Sequence, residues 1–399
     1  MSQPAPSGEV ISLGCRLNIA ESEAIRGLLA DAPPTVVVNS CAVTAEAVRQ
    51  SRRAVRRLRR AHPGARLVVT GCAATIEAEA FAAMPEVDAV VSNSLKLRPE
   101  SWNASPSPPL RAAASHTRAF VAVQNGCDHA CTFCIIPQGR GASVSLPVAS
   151  VVETIGQTIR AGDRPVQEVV LTGVDVTSWG ADLPGAPKLG NLVQAILDAF
   201  PALPRLRLSS LDGVEIDPLL FDLITQEPRV MPHVHLSLQS GSDVVLKRMK
   251  RRHSRRDAIA LVERMKARRP DIAIGADLIA GFPTETAAMH AENLSIVTEC
   301  AIVHAHIFPY SPRRGTPAAR MPQVDPVLVR ERAAELREVA GRERARWLET
   351  LVARPAQVLA ERDGTGHAPD FACYRVPPGT LAGSIVTVTP ARIVEGMLE

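Results

Sequence analysis

Three cysteines inside eight residues set the tightest limit on what this chain can fold into. Cys127, Cys131 and Cys134 stand in the stretch CDHACTFCIIPQGR (Cys127–Arg140), spaced C-x3-C-x2-C. Thiolates gathered so closely either share a metal or repel one another. Iron–sulfur cubanes are commonly held by four cysteine thiolates, yet no fourth cysteine follows here. A tetrahedral zinc site fills its last position with a nearby cysteine or histidine. His129 is the single candidate, and it lies inside the first gap, poorly placed to turn back onto the same metal. The spacing favours a cubane with one iron left open over a zinc site or plain buried cysteines.

A second cysteine pattern precedes it. EVISLGC ends at Cys15, TVVVNSC at Cys41 and RLVVTGC at Cys72. Each is a short β-branched run, a small or polar residue, then cysteine, with a helix-like segment after it. Strand, turn and helix repeated in this way predict a parallel α/β unit. Ligands gather at the carboxyl ends of such strands, where all three cysteines fall, and a helix N-terminus favours a thiolate. One buried strand-end cysteine is ordinary, but three in register point to a second three-cysteine cluster.

Between these patterns lies a basic helix. Arg49, Arg52, Arg53, Arg56, Arg57 and Arg60 follow helical spacing and share one face. Like charges so arranged destabilise an isolated helix unless an anion answers them. Only Glu46 is near in sequence, so a polyanion is the expected partner, with a solvated, paired face as the plainer alternative. Residues 97–116, rich in proline, serine and alanine, read as a linker.

From Arg118 to about Ser311 six strand-like runs alternate with helical ones, which predicts a partial (β/α)6 barrel with its chemistry at the C-terminal mouth. The three-cysteine loop follows the first strand and opens at that mouth. Polar residues ending later strands are candidates for holding cofactor and substrate. They are Thr172, Gly173 and Asp175; Ser209, Ser210 and Asp212; Ser237, Gln239 and Ser240; and Asp277 within the fifth strand. Buried polar groups need partners in any case, so each has a purely structural alternative. Gly281-Phe282-Pro283 reads as a turn. A second basic cluster, with Lys247, Arg248, Lys250, Arg251 and Arg252, lies on the mouth side. A charged connecting helix is expected from about Pro326 to Thr350. The short strand-like runs after it predict a small β-barrel. The resulting division is 8–103, 113–345 and 346–399.

Composition narrows the setting. At 399 residues with 46% apolar content the chain supports two or three folded domains. No apolar run approaches the ~20 residues that span a bilayer, so no membrane contact is expected. The opening MSQPAPSGE has no basic or apolar leader region. Eight cysteines, six of them patterned, suit metal ligands in a reducing cytoplasm better than disulfides. Cys300 and Cys373 stand apart and read as ordinary. The net charge of +4 says little by itself.

The motif around Cys127 resembles that of the radical S-adenosylmethionine enzymes. Phe133 takes the place of the family's aromatic residue beside the adenine, and IIPQGRG matches its usual continuation. Together with LGCRLN, NSCAVT and VTGCAA, the whole chain resembles the methylthiotransferase family of that superfamily. The resemblance implies two [4Fe–4S] clusters, an auxiliary one on Cys15, Cys41 and Cys72 and a radical one on Cys127, Cys131 and Cys134. S-adenosylmethionine would bind the open iron, and the C-terminal unit would be an RNA-binding TRAM domain. HLSLQSGSDVVLKRMKRRH, GADLIAGFPTET and HIFPYSPRRGTPAARMP look most like the branch that methylthiolates C2 of N6-threonylcarbamoyladenosine beside the tRNA anticodon (position 37). The implied partners are tRNA and a flavodoxin- or ferredoxin-type electron donor; oligomeric state stays open. RGASVSLP departs from the more basic run that relatives carry there. Alternatives are isopentenyladenosine in tRNA, a ribosomal-protein aspartate, or a non-catalytic RNA-binding iron–sulfur sensor.

Overall fold

The computed structural model describes residues 8–30, 32–103, 117–160 and 165–399. Its first unit is a four-stranded all-parallel sheet in sequence order: Glu9–Ser12, Thr35–Ser40, Arg66–Gly71 and Ala89–Val90. The valines of the second and third strands are buried on both faces, as expected where helices cover both sides of a sheet. Helices Arg16–Leu28 and Ala45–Ala61 follow the first two strands. After the third come two short helices, Cys72–Ile76 and Ala78–Ala82. Part of the stretch expected as a linker is packed structure. Trp102 is buried against Val10, Ile25 and Val68, and its indole donates to the Lys96 carbonyl at 2.8 Å. The rest of that stretch, 104–116, lies outside the described residues.

The central unit has the expected six parallel strands. Ala119–Ala122, Glu168–Thr172 and Arg205–Leu208 form one sheet. Ser210–Leu211, His233–Gln239, Ala273–Ala280 and Ile302–Pro309 form the next. The third barrel strand is thus one run broken at Ser209, and it carries the barrel from one sheet to the other. Alternation along these strands separates two environments. Val169, Leu206, Val234, Leu236, Ile274 and Ala276 join the large apolar core with the surrounding helices. The opposite residues, among them Glu168, Arg205, Arg207, His233, His235 and Asp277, make a polar lumen.

Helix Pro326–Glu349 starts at a strong signal, Asp325 capping the Val327 amide at 2.7 Å with proline in the first turn. Ala333 and Leu336 pack on the barrel core, and Leu348 joins the C-terminal core. The helix therefore belongs to both units rather than only connecting them. The C-terminal unit is one six-stranded, mainly antiparallel sheet. Its edges, Ile385–Val388 and Ile393–Val394, are separated by residues 389–392 alone. Six strands laid flat would span roughly 24 Å, more than the ~18 Å such a connection covers, so the sheet curls around Val358, Tyr374 and Leu398. It meets the lower end of the barrel. Arg207 donates to Glu168 at 2.6 Å and to the Pro369 carbonyl at 3.0 Å, while Phe371 stacks on His233.

Candidate active site

Each cysteine of the first triad stands where a parallel strand gives way to a helix. Cys15 occupies the N-cap of Arg16–Leu28, Cys41 follows the second strand, and Cys72 opens its short helix. Gly14, at φ +92°, makes this assembly possible: a side chain there would meet Cys41 Sγ at 2.6 Å. Burial pushes the Cys41 thiol up to about 11, and the charges of Cys15 and Cys72 add to that rise. The three thiols therefore share one electrostatic neighbourhood.

The second triad sits in the loop after the first barrel strand. Burial drives Cys127 up to about 12, with Asp175, Cys134 and Cys131 contributing, and Cys134 up to about 11. Cys134 also feels Cys72, so the two sets face each other. The backbone explains how. Helix Ile136–Arg140 lies on helix Cys72–Ile76 so closely that a Cβ on Gly139 would meet the Cys72 Cβ at 3.3 Å. Arg140 crosses to the first unit, donating to Glu21 at 2.9 and 3.0 Å, and Lys96 reaches the same carboxylate at 2.5 Å.

These residues suit sulfur-ligated metal. Buried thiols that repel one another hold their protons, and a bound cluster would relieve that by taking them as thiolates. Several N–H donors already point at sulfur. Asn93 reaches Cys72 at 3.5 Å, the His129 amide reaches Cys127 at 3.4 Å, and Arg251 reaches Cys131 at 3.6 Å. Hydrogen bonds to sulfur are a known lever on cluster potential. His129 is engaged elsewhere. Its Nε2 lies 2.7 Å from Asp175, and hydrogen bonds to Asp175 and Glu215 raise it to about 10. The same nitrogen lies 3.1 Å from Arg252 Nη2, so the ring is held by its protein neighbours.

The residues expected at the strand ends divide by depth. Phe133 packs at the mouth with Ile279, Phe282 and Tyr310. Thr172 is buried, its carbonyl accepting from Val123 at 2.9 Å, and Gly173 lies against Gln124. Ser237 and Ser210 share a hydrogen bond of 2.9 Å, and Gln239 ends its strand at φ +70° beside a slip in register. Asp277 stands differently from the other strand-end candidates. His235 Nε2 and His306 Nδ1 lie 3.0 and 3.1 Å from its Oδ1. Burial would raise its pKa, but these two contacts hold it below the ordinary carboxylate range.

The arginine face is more paired than its sequence suggested. Arg49 and Arg53 reach Glu46, Arg52 reaches Glu77 at 2.7 Å, and Arg56 lies 3.8 Å from Glu86. Glu77 and Glu86 are distant in sequence, so local reading missed both. Arg57 and Arg60 are exposed and have no ion-pair partner among the described residues. Helix Ala45–Ala61 starts at the mouth, where the Ala45 amide donates to Ser311 at 3.1 Å.

In the second basic cluster Lys247 and Lys250 are exposed, and Arg248 turns toward the Thr284 carbonyl. Arg252 pairs with Asp212 and Glu215. Arg251 departs from the expectation of a surface phosphate contact. Its side chain is buried, holding Asp212 at 3.0 Å and the Ser237 carbonyl at 2.8 Å beside Cys131. Glu21, Lys96, Arg140 and Asn93 were also missed, since nothing near them in sequence announces a partner.

Residues 121–294 match the Radical SAM superfamily, and residues 8–92 match the family described as uncharacterized protein family UPF0004. The chain is 39% identical to threonylcarbamoyladenosine tRNA methylthiotransferase MtaB of Rickettsia prowazekii, covering 98% of this chain and 96% of that protein. Identity to the protein of the same name from Thermotoga maritima is 32%, over 88% and 85%. The tRNA-2-methylthio-N(6)-dimethylallyladenosine synthase of Novosphingobium aromaticivorans is 35% identical, over 91% and 90%. In fold, the chain is similar to the radical S-adenosylmethionine methyltransferase TsrM of Kitasatospora setae, with a TM-score of 0.50, 16% identity, and 76% and 67% coverage.

Proposed function

The chain belongs to the radical S-adenosylmethionine methylthiotransferases, in the branch of the MtaB relatives, and from that premise we propose its substrate and the work of its residues. It inserts a methylthio group at C2 of N6-threonylcarbamoyladenosine beside the anticodon of tRNA. The observation that carries this reading is the packing of the helix that follows the second triad on the helix that Cys72 opens, where Gly139 lies against Cys72.

Cys127, Cys131 and Cys134 would hold one [4Fe–4S] cluster, and Cys15, Cys41 and Cys72 a second. With S-adenosylmethionine bound, these groups supply an electron, a hydrogen-abstracting radical and a methylated sulfur. The protein supplies position and shelter. Phe133 would flank the adenine of the cofactor, with Thr172, Gly173, Ser237 and Gln239 around it. The Glu21–Arg140–Lys96 network locks the two triads into one arrangement, and the Arg251 cation faces Cys131. A target base leaves its stack at a cost of a few kcal/mol or less in an anticodon loop. Arg53, Arg57, Arg60, Lys247 and Lys250 would offer phosphate contacts, with the curled C-terminal sheet as a further RNA surface.

The units are assigned as 8–103, 113–345 and 346–399. The setting is the cytoplasm, with a flavodoxin- or ferredoxin-type donor. No helix among the described residues is long and apolar enough to cross a membrane. Mass spectrometry of tRNA nucleosides from a strain lacking the protein tests the substrate. Loss of the methylthiolated threonylcarbamoyl nucleoside is expected; its persistence alongside loss of the isopentenyl one would overturn the choice.

A further inference from the structure

The lower lumen holds a cavity of about 280 Å³, lined by Arg16, Arg344, His235, His304, His306 and Phe371 among others. Its charge is unbalanced. Glu168 is engaged by Arg207, and Glu361 by Arg118. Asp277 is engaged by His235 and His306. Among the described residues Arg344 donates only to neutral acceptors, the Val303 carbonyl at 3.3 Å and His304 Nδ1 at 2.9 Å. Arg16 has no hydrogen bond or ion pair among the described residues, and its guanidinium rests over the Phe371 ring at 5.5 Å. Two guanidiniums therefore line one cavity with no carboxylate at ion-pair distance from either among the described residues; Glu168 and Asp277 act on Arg16, and Asp370 on Arg344, only from farther away. A half-enclosed arginine of this kind suits a planar anion that can accept two hydrogen bonds.

The position of the cavity suggests which anion. Arg16 follows Cys15 directly, so one wall begins at the first triad. His235 lies two residues, roughly 6.6 Å, down the strand from Ser237, whose carbonyl holds Arg251 against Cys131. The cavity thus lies two residues down the strand from the Ser237 carbonyl that holds Arg251 against Cys131, and Arg16 joins it to the helix that Cys15 caps. C2 and C6 flank N1 on the pyrimidine ring of adenine, and their exocyclic bonds diverge. A base presenting C2 to the triads therefore carries its N6 substituent to one side of them, and this space opens beside the triads.

Resting on the substrate reading above, we infer that the Arg16–Arg344 cavity receives the N6 side chain of the target nucleoside and binds its carboxylate. The two arginines are then the residues that separate a threonylcarbamoyl group from an uncharged isopentenyl group. His306 and Phe371 line the same cavity.

The test is equilibrium binding of the full-length, cluster-loaded protein to three anticodon stem-loops. These carry threonylcarbamoyladenosine, isopentenyladenosine or unmodified adenosine at the same position. Wild type is expected to favour the threonylcarbamoyl loop by at least about tenfold over unmodified. Arg16→Gln and Arg344→Gln should each remove most of that preference while leaving affinity for the unmodified loop within about twofold. Arg16→Lys should keep part of it. Iron content of each variant separates a lost contact from a lost cluster at Cys15, and Arg344 is remote in sequence from every triad cysteine. Preference intact in both glutamine variants overturns the inference, as does equal weakening of all three loops, the signature of a phosphate contact. A wild-type protein that holds the loops equally, or the isopentenyl loop best, overturns the substrate reading itself and this inference with it.

Discussion

Arg140 Nη1 and Glu21 Oε1 lie 2.9 Å apart, and this buried pair ties the helix after the second triad to the helix after Cys15. Lys96, fully buried, reaches the same carboxylate. Removing one member of such a network leaves charges buried without an answer, which costs about 3–5 kcal/mol. Glu21→Ala should therefore lower unfolding stability by that order, measured by denaturant titration of the loaded protein. Loss of under about 1 kcal/mol would mean that water reaches the site.

The same carboxylate gives a pH dependence. Burial pushes Glu21 up, but Lys96 and Arg140 outweigh it and hold the folded-state value below 4.5. A depressed carboxylate contributes its full stability above the unfolded value and loses it as pH falls through the folded one. Wild type should thus lose stability below about pH 4.5, in the window where Glu21→Gln is flatter. Parallel curves for the two proteins below that pH would remove Glu21 as the cause.

Cys41 separates the two triads chemically. Cys41→Ser should lower iron from about eight to about four per chain. S-adenosylmethionine cleavage to 5′-deoxyadenosine should persist, while methylthiolated nucleoside falls to background. Cys134→Ser should abolish both products. A Cys41→Ser protein that retains full iron would remove that residue from the ligand set.

Much of this arrangement was legible in the sequence because it is local. A β-branched run followed by a cysteine and an amphipathic helix fixes both the parallel strand and the position of Cys15, Cys41 or Cys72 at its end. The six barrel strands were legible for the same reason. What escaped was long-range. Phe371 stacks on His233 and lies over Arg16, Arg118 and Arg207, from four separate segments, and no local pattern announces it. Arg251 and Lys250 are neighbours in one basic run, yet one turns inward and the other faces solvent. Lys250 has φ +58° just past the end of helix Asp243–Arg248, where the chain turns between the two. The arginine face was visible by period, but Glu77 and Glu86, which answer part of it, come from another segment.

That pairing refines which arginines remain available to RNA. Arg53 is 71% exposed on its side chain with only a 3.7 Å contact to Glu46, and Arg57 and Arg60 have no ion-pair partner among the described residues. Replacing Arg53, Arg57 and Arg60 with alanine should weaken tRNA binding. It should also reduce the slope of log affinity against log salt by about two to three. Arg52→Ala should move the slope less, since Glu77 already holds that side chain. An unchanged slope in the triple variant would take this face out of the interface.

Arg251 presents a cation 3.6 Å from Cys131 Sγ while Asp212 and the Ser237 carbonyl fix its other end. Reduction adds negative charge to a thiolate-ligated cluster, so a nearby cation favours the reduced state more than the oxidised one. A hydrogen bond to a charged group contributes about 1.5–3 kcal/mol. For a one-electron couple, 59 mV corresponds to a tenfold change in equilibrium constant. Arg251→Met should therefore make the potential of the second-triad cluster more negative, by at most about 60–130 mV, read by EPR-monitored redox titration. Arg251→Lys should recover part of the shift, because the charge remains while the fork to Asp212 is lost. Arg252→Met makes the control, since Arg252 pairs with the same Asp212 but has no sulfur contact among the described residues. If Arg251→Met and Arg252→Met shift the potential equally, the effect runs through Asp212 and not through the contact with Cys131.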